Sequence, residues 1–100
     1  MIDKARREGI RWNMLNVLHK SAPYPITEEF LKSILNDIYP NVTKLETRQH
    51  LDYLASYNLI NIDKKPYGVW LIEIDHKGTD IVEYTIDCPA GIARPEKYWA

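Results

Sequence analysis

Apolar residues recur at helical spacing in three segments of the first 58 residues, and these segments predict three helices. The first is expected to begin after a cap at Asp3 and to run to about Lys20. Its core face is expected to contain Ile10, Met14, Val17 and Leu18. A second stripe of the same helix holds Ala5, Glu8, Trp12, Leu15 and His19. Because one packing partner cannot cover two faces, we expect this helix to contact two partners.

The segment SAPYPIT is predicted to be a loop, since Pro23 and Pro25 lack the amide hydrogen and disfavour helical angles before them. Thr27 is expected to cap a second helix, EEFLKSILNDIY, whose acidic first turn suits a helix N-terminus. Its apolar stripe consists of Phe30, Leu31, Ile34, Leu35 and Ile38. Pro40 ends this helix, and a connection of only residues 40–42 requires the next helix to cross it steeply.

The third helix has clear signals at both ends. Thr43 and Glu46 have capping-box spacing at its start, and Asn58 stands where a left-handed residue ends a helix. The residues predicted to face the core are Thr47, Leu51, Leu54 and Ala55. The opposite surface is predicted to carry Leu45, Glu46, Arg48, Gln49, Asp52 and Tyr53, with His50 on its flank.

A β-hairpin is predicted next, with strands over residues 59–63 and 69–74 around a turn that contains Pro66 and Gly68. Trp70, Ile72 and Ile74 alternate with Val69, Leu71 and Glu73, so one face is apolar and should cover the helices. A short closing helix is expected from about Gly78 to Tyr84. Residues 1–86 are therefore predicted to form one domain. Residues 87–100 are predicted to form an extended tail, whose large aromatic rings should dock.

Composition narrows the class of protein. A chain of 100 residues with 45% hydrophobic residues is large enough for one core. It contains neither a membrane-spanning run nor a secretory signal, which favours a cytoplasmic protein. The formal net charge of −1 at pH 7 is low for a nucleic-acid binder. Local basic patches therefore have to supply any phosphate contacts, and two are present: Lys4, Arg6, Arg7 and Arg11, and Lys64 with Lys65.

Catalysis and metal binding are not indicated. His19, His50, His76 and Cys88 show no zinc-ligand spacing, and there is no phosphate-binding glycine loop or nucleophile elbow. We therefore expect a protein that is not an enzyme and that needs no cofactor or metal.

The string TRQHLDYLASYNLI, followed by the hairpin and HKGTDIVE, resembles the winged helix-turn-helix families of bacterial and phage regulators over most of the chain. The ending HKGTDIVEYTIDCPAGIARP and the small size also resemble uncharacterised winged-helix proteins of Mu-like bacteriophages and prophages. The resemblance implies an α+β fold with a three-helix core, a hairpin wing, a short closing helix and an extended tail. It also implies that the third helix enters the DNA major groove while the wing touches the backbone.

Carried over by position, the groove contacts would fall on Arg48, Gln49 and His50, with Lys44 and Tyr53 as supports. Arginine forks onto guanine and glutamine onto adenine, so both residue types suit direct recognition of bases. The wing would contact phosphate through Lys64, Lys65 and Tyr67.

Other features of this surface weaken that interpretation. Glu46 and Asp52 would repel phosphate, and Arg48 would pair with Asp52 at i, i+4 as easily as with a base. An exposed Leu45 is more typical of a protein contact than of a DNA contact.

Two hypotheses follow. The first is a transcriptional regulator that binds double-stranded DNA as a homodimer, with a seam formed by Trp12, Leu15, His19, Tyr98 and Trp99. The alternative is a winged-helix module that binds no DNA and contacts a protein partner through the exposed face of the third helix or through the Trp12 stripe. The near-neutral charge and Leu45 favour this alternative.

Overall fold

The computed structural model describes residues 2–97 and shows an α+β fold. The four helices of this region are α1 (Ile2–Ser21), α2 (Glu28–Ile38), α3 (Lys44–Ser56) and α4 (His76–Val82). They pack with an antiparallel sheet of β1 (Ile26–Thr27), β2 (Ile60–Lys64) and β3 (Trp70–Ile74), in which β3 is the central strand. Across residues 2–97, none of the helices has both the length and the hydropathy that a membrane span requires.

Helix α1 is the centre of the molecule. Three residues of its predicted core face, Ile10, Met14 and Leu18, are buried, whereas Val17 is half-buried at the edge of the core. The predicted cap is wrong, because Asp3 lies inside the first turn of a helix that already includes Ile2. The second stripe is covered in part from within the chain, where α4 packs on α1 and Trp12 meets the ring of Tyr84 edge-on, while Ala5 is exposed. Two faces of α1 therefore do have two partners, and both are intramolecular.

Helix α2 begins where Thr27 Oγ1 accepts a hydrogen bond from the Phe30 amide at 3.1 Å, which confirms the predicted cap. The loop predicted before it is wrong at its end, because Ile26 and Thr27 form β1 and pair with Ile72 and Leu71 of β3. Two residues can complete a strand here because β3 offers them an otherwise unpaired edge.

The apolar stripe of α2 is only half used by the core. Leu31 and Leu35 are fully buried, whereas Phe30 is 55% exposed and Ile38 is 54% exposed. A stripe this wide extends beyond the contact that α1 provides, so its outer edge faces solvent.

Both ends of α3 form as the sequence predicts, with one exception. Thr43 Oγ1 accepts from the Glu46 amide at 3.1 Å, but the Glu46 carboxylate does not return to the cap and instead contacts α1. Asn58 has φ 61° at the C-terminus. Its amide binds the Ala55 carbonyl at 2.9 Å and the Leu59 amide binds the Leu54 carbonyl at 3.2 Å, which is a Schellman motif.

The hairpin is confirmed, with Ile62 opposite Ile72 and with Gly68 at φ 89° in the turn. Trp70 and Ile72 face the core. Helix α4 begins after a cap at Asp75, earlier than predicted. Gly78 lies inside this helix. The position requires glycine because a Cβ there would overlap the Leu59 carbonyl oxygen.

Residues 87–97 lack regular structure but are tied to the helices. Ile92 is buried, and the Ala93 amide donates to the Glu8 carbonyl of α1 at 3.1 Å. Arg94 Nη1 donates to the carbonyls of Ile81 and Ile86 at 3.0 and 2.9 Å. The described part of the segment thus crosses α1 and α4, while a domain boundary at residue 86 stays a prediction. The predicted docking of Tyr98 and Trp99 lies outside the described residues.

Candidate nucleic-acid interface

Helix α3 is packed on two flanks and open along a single stripe, which we call the α3 ridge: Leu45, Gln49, Asp52 and Ser56. These positions follow i, i+4, i+7 and i+11, so they share one face of the helix. Lys44 is exposed at the start of the ridge. One flank faces α2 and the hairpin, and the other faces α1 and the chain near Gly91.

The hairpin-side flank is organised by Arg48. Its Nε donates to Glu28 Oε2 at 2.6 Å, and its Nη2 donates to the other carboxylate oxygen and, at 2.7 Å, to the Gly68 carbonyl. The guanidinium also lies 4.4 Å from the centre of the Trp70 ring. This arrangement, which we call the Arg48 clasp, joins the start of α2, the middle of α3 and the turn of the hairpin.

The clasp is an ion pair with one buried member. Glu28 is only 3% exposed, and the hydrogen bonds from Arg48 lower its carboxyl pKa against the opposing effect of burial. The same pair raises the pKa of Arg48. A guanidinium held by a carboxylate, a carbonyl and a ring is not available to fork onto guanine.

The predicted i, i+4 pairing of Arg48 with Asp52 is wrong, because Arg48 pairs with Glu28. The predicted contact of Arg48 with a base would require this pair to open. Glu28 lies in the acidic first turn of α2, as the sequence predicts, but it also precedes the buried Leu31 and Leu35 by three and seven residues. This spacing on the apolar stripe is the signal that marks Glu28 as a buried carboxylate.

The α1-side flank is organised by Glu46 and His50. Glu46 pairs with Arg6 of α1, which lowers the carboxyl pKa of Glu46. His50 Nδ1 accepts from Arg11 Nε at 3.2 Å, so its Nε2 carries the hydrogen that is directed at Glu46, also at 3.2 Å. Arg11 further donates to the Gly91 carbonyl at 2.9 Å.

His50 is 3% exposed, so its predicted position on an accessible flank of α3 is wrong. Its burial lowers its pKa, and the positive charge of Arg11 acts in the same direction, while Glu46 opposes them. Tyr53 lies under the Arg11 guanidinium, 3.7 Å from the ring centre, and is half-buried. Neither residue projects along the open side of α3.

The wing cations are present but paired. Lys64 Nζ lies 3.6 Å from Asp52 Oδ1 and 4.4 Å from the centre of the Trp70 ring, and Lys65 Nζ lies 2.7 Å from Asp63. Tyr67 is 75% exposed at the turn. Of the predicted groove residues, Lys44 and Gln49 alone are fully on the surface.

The described residues of the predicted dimer seam make contacts within the chain. Leu15 is fully buried, so its place in a seam is wrong, and Trp12 is half-buried against Tyr84. His19 Nε2 lies 3.2 Å from a carboxylate oxygen of Glu83 in the connection after α4. Tyr98 and Trp99 lie outside the described residues.

A different apolar surface, which sequence reasoning missed, lies between α1 and α2. We call it the α2 patch, and it consists of Val17, Phe30, Ile34 and Ile38. A shallow hollow of about 380 Å³ opens along it beside Lys20 and Ser21. The excessive width of the apolar stripe of α2 was the available signal.

No protein-family profile matches the chain, and comparison with characterised proteins and with solved structures finds no significant match. The function therefore has to be argued from the site itself.

The clasp predicts that Glu28→Gln destabilises the protein by about 1–3 kcal/mol, because a charged hydrogen-bonded partner is removed inside the fold. The matched control is Asp63→Asn, which removes the carboxylate of an exposed pair and should leave the unfolding midpoint unchanged. Urea unfolding at neutral pH measures both. Equal effects of the two substitutions would show that the clasp does not hold these elements together.

His50 predicts a pH dependence of stability. Its folded pKa is lowered below the unfolded value of about 6.5, so the unfolded chain binds the proton first. The contribution of neutral His50 to folding stability is present in full above the unfolded pKa and is lost as the pH falls through the folded pKa. His50→Gln should flatten this slope, whereas His76→Gln, at an exposed position, should retain it. Thermal unfolding across this range provides the measurement, and an unchanged slope in His50→Gln would contradict the assignment.

Proposed function

We propose that this chain is a winged-helix protein that binds double-stranded DNA, with α3 in the major groove and the β2–β3 hairpin as the wing. The observation that carries the proposal is the α3 ridge, a single open helix face bordered by a hairpin that carries Lys64, Lys65 and Tyr67. A major groove about 12 Å wide admits one α-helix presented in this way. The cellular role we propose is transcriptional regulation in the bacterial cytoplasm, by a phage- or prophage-encoded protein.

The cations that border the ridge would contact phosphate. Lys44 is exposed at the start of α3, and Lys64 and Lys65 flank the hairpin turn. Lys64 is paired with Asp52 and Lys65 with Asp63, and both carboxylates are more than half exposed. Exposed ion pairs of this kind contribute little to stability. Exchange of such a pair for a phosphate contact is therefore inexpensive.

The clasp and the buried histidine have positioning roles in this proposal. Arg48 holds the hairpin turn at a fixed place beside α3 through the Gly68 carbonyl. His50 and Glu46 hold α3 against α1. A recognition helix fixed on both flanks loses little conformational entropy when it binds, which favours affinity.

The first functional prediction concerns salt. Duplex binding measured by fluorescence anisotropy should weaken as salt rises from about 50 to 200 mM. The triple variant Lys44→Ala, Lys64→Ala and Lys65→Ala should reduce the logarithmic salt slope by about 0.9 for each phosphate contact removed. Lys77→Ala in α4 is the control, because it removes a lysine from an exposed position outside the ridge and the wing. Salt-independent binding, or an unchanged slope in the triple variant, would contradict the proposal.

The α2 patch favours a second candidate function, assembly through protein contacts. Large exposed apolar residues on adjacent helices are typical of interaction surfaces. Because Leu15 is buried and Trp12 packs on Tyr84 within the chain, we place the predicted homodimer contact at the α2 patch instead. A module that uses this patch and binds no DNA is the alternative to a regulator.

Sedimentation equilibrium tests this contact. The wild type should dimerise, and Phe30→Asp with Ile38→Asp should be monomeric because each places a carboxylate in an apolar seam. Tyr67→Ser, which removes a still more exposed ring at the hairpin turn, should leave the dimer intact. A monomeric wild type, or a dimeric double variant, would show that the α2 patch is not a homodimer contact. Loss of assembly in a protein that binds no duplex at any salt would favour the interaction module.

A further inference from the structure

We infer that the α3 ridge recognises two A·T base pairs about two steps apart in the major groove, with Gln49 on adenine and Leu45 on the thymine methyl group. This inference rests on the proposed DNA binding and adds the class of base sequence that is bound.

Most side chains of α3 that were predicted to meet a base are already held by other residues. Arg48 is committed to Glu28 and Gly68, and His50 is buried. Glu46 is paired with Arg6, and the Tyr53 ring is covered by Arg11. The first half of the ridge is left with Leu45, which is 67% exposed, and with the exposed Gln49. Within residues 2–97 the Gln49 amide has no hydrogen-bond partner.

The Gln49 amide matches the major-groove edge of adenine better than that of guanine. Guanine presents two acceptors, N7 and O6, and is bound best by a forked donor such as arginine. The withdrawal of Arg48 into the clasp leaves the ridge without a free guanidinium. An amide carries both a donor and an acceptor, and it matches the N7 acceptor and the N6 donor of adenine.

Leu45 lies one helical turn before Gln49 on the same face of α3. Residues at i and i+4 lie about 6 Å apart, which corresponds to about two base-pair steps of 3.4 Å. The C5 methyl of thymine is the apolar group that the major groove offers to a leucine. An exposed leucine that is unfavourable in water thus acquires a partner if the base pair about two steps from the adenine bound by Gln49 is also an A·T pair.

The experiment is selection of bound sequences from a randomised duplex library, followed by base analogues at the selected site. The selected motif should contain two A·T pairs about two base-pair steps apart. Replacing thymine by deoxyuridine removes one methyl and should weaken wild-type binding about fourfold, from the transfer free energy of a methyl group. Replacing adenine by 7-deazaadenine removes N7 and should weaken binding about fivefold or more, the lower limit for a bidentate contact.

Two variants assign the contacts to residues. Leu45→Ala should lose its response to deoxyuridine while retaining its response to 7-deazaadenine, and Gln49→Ala should show the reverse pattern. Both positions are exposed, so circular dichroism should confirm that each variant is folded. This crossed pattern would not arise if either substitution merely weakened the protein.

A motif built only from G·C pairs, or a Leu45→Ala variant that still responds to deoxyuridine, would overturn the base assignment while leaving salt-dependent DNA binding in place. Absence of any salt-dependent duplex binding would overturn the assignment together with the proposed function. In that case, loss of assembly in Leu45→Ala would identify Leu45 as a protein contact.

Discussion

The arrangement of helix and hairpin depends on one buried ion pair, Glu28 with Arg48. An unpaired carboxylate at 3% exposure is costly, so any structure that buries Glu28 has to bring a cation to it. Arg48 satisfies this requirement from α3, and its Nη2 also donates to the Gly68 carbonyl. A single electrostatic requirement therefore sets where α2, α3 and the hairpin turn lie relative to one another.

The other flank of α3 is held by a softer constraint. His50 is neutral in its buried position and links Arg11 to Glu46 through its two ring nitrogens. Protonation of Nδ1 would place a hydrogen against the Arg11 donor and break this link. Arg11 also holds the chain at Gly91, where a Cβ would overlap the Tyr53 hydroxyl. The attachment of residues 87–97 is thus coupled to the same flank that positions α3.

Local signals were sufficient to predict most of the elements, because caps, turns and apolar spacing act within a few residues. Thr27, Thr43, Asn58 and Gly68 all have the predicted roles. The site was predicted less well, because the partner of a charged side chain is decided by tertiary packing. Nothing near Arg48 in the chain identifies a residue 20 positions earlier as its partner, although the spacing of Glu28 on a buried stripe was visible.

The near-neutral balance of charge has a definite consequence if α3 binds DNA. Non-specific affinity comes almost entirely from cations that replace counterions on phosphate. Here the cations that border the α3 ridge are few, namely Lys44, Lys64 and Lys65. The protein would therefore bind random duplex weakly, and stable complexes would depend on contacts between the α3 ridge and base edges. A low overall charge is then a source of discrimination, because the ratio of specific to non-specific affinity governs where a protein binds.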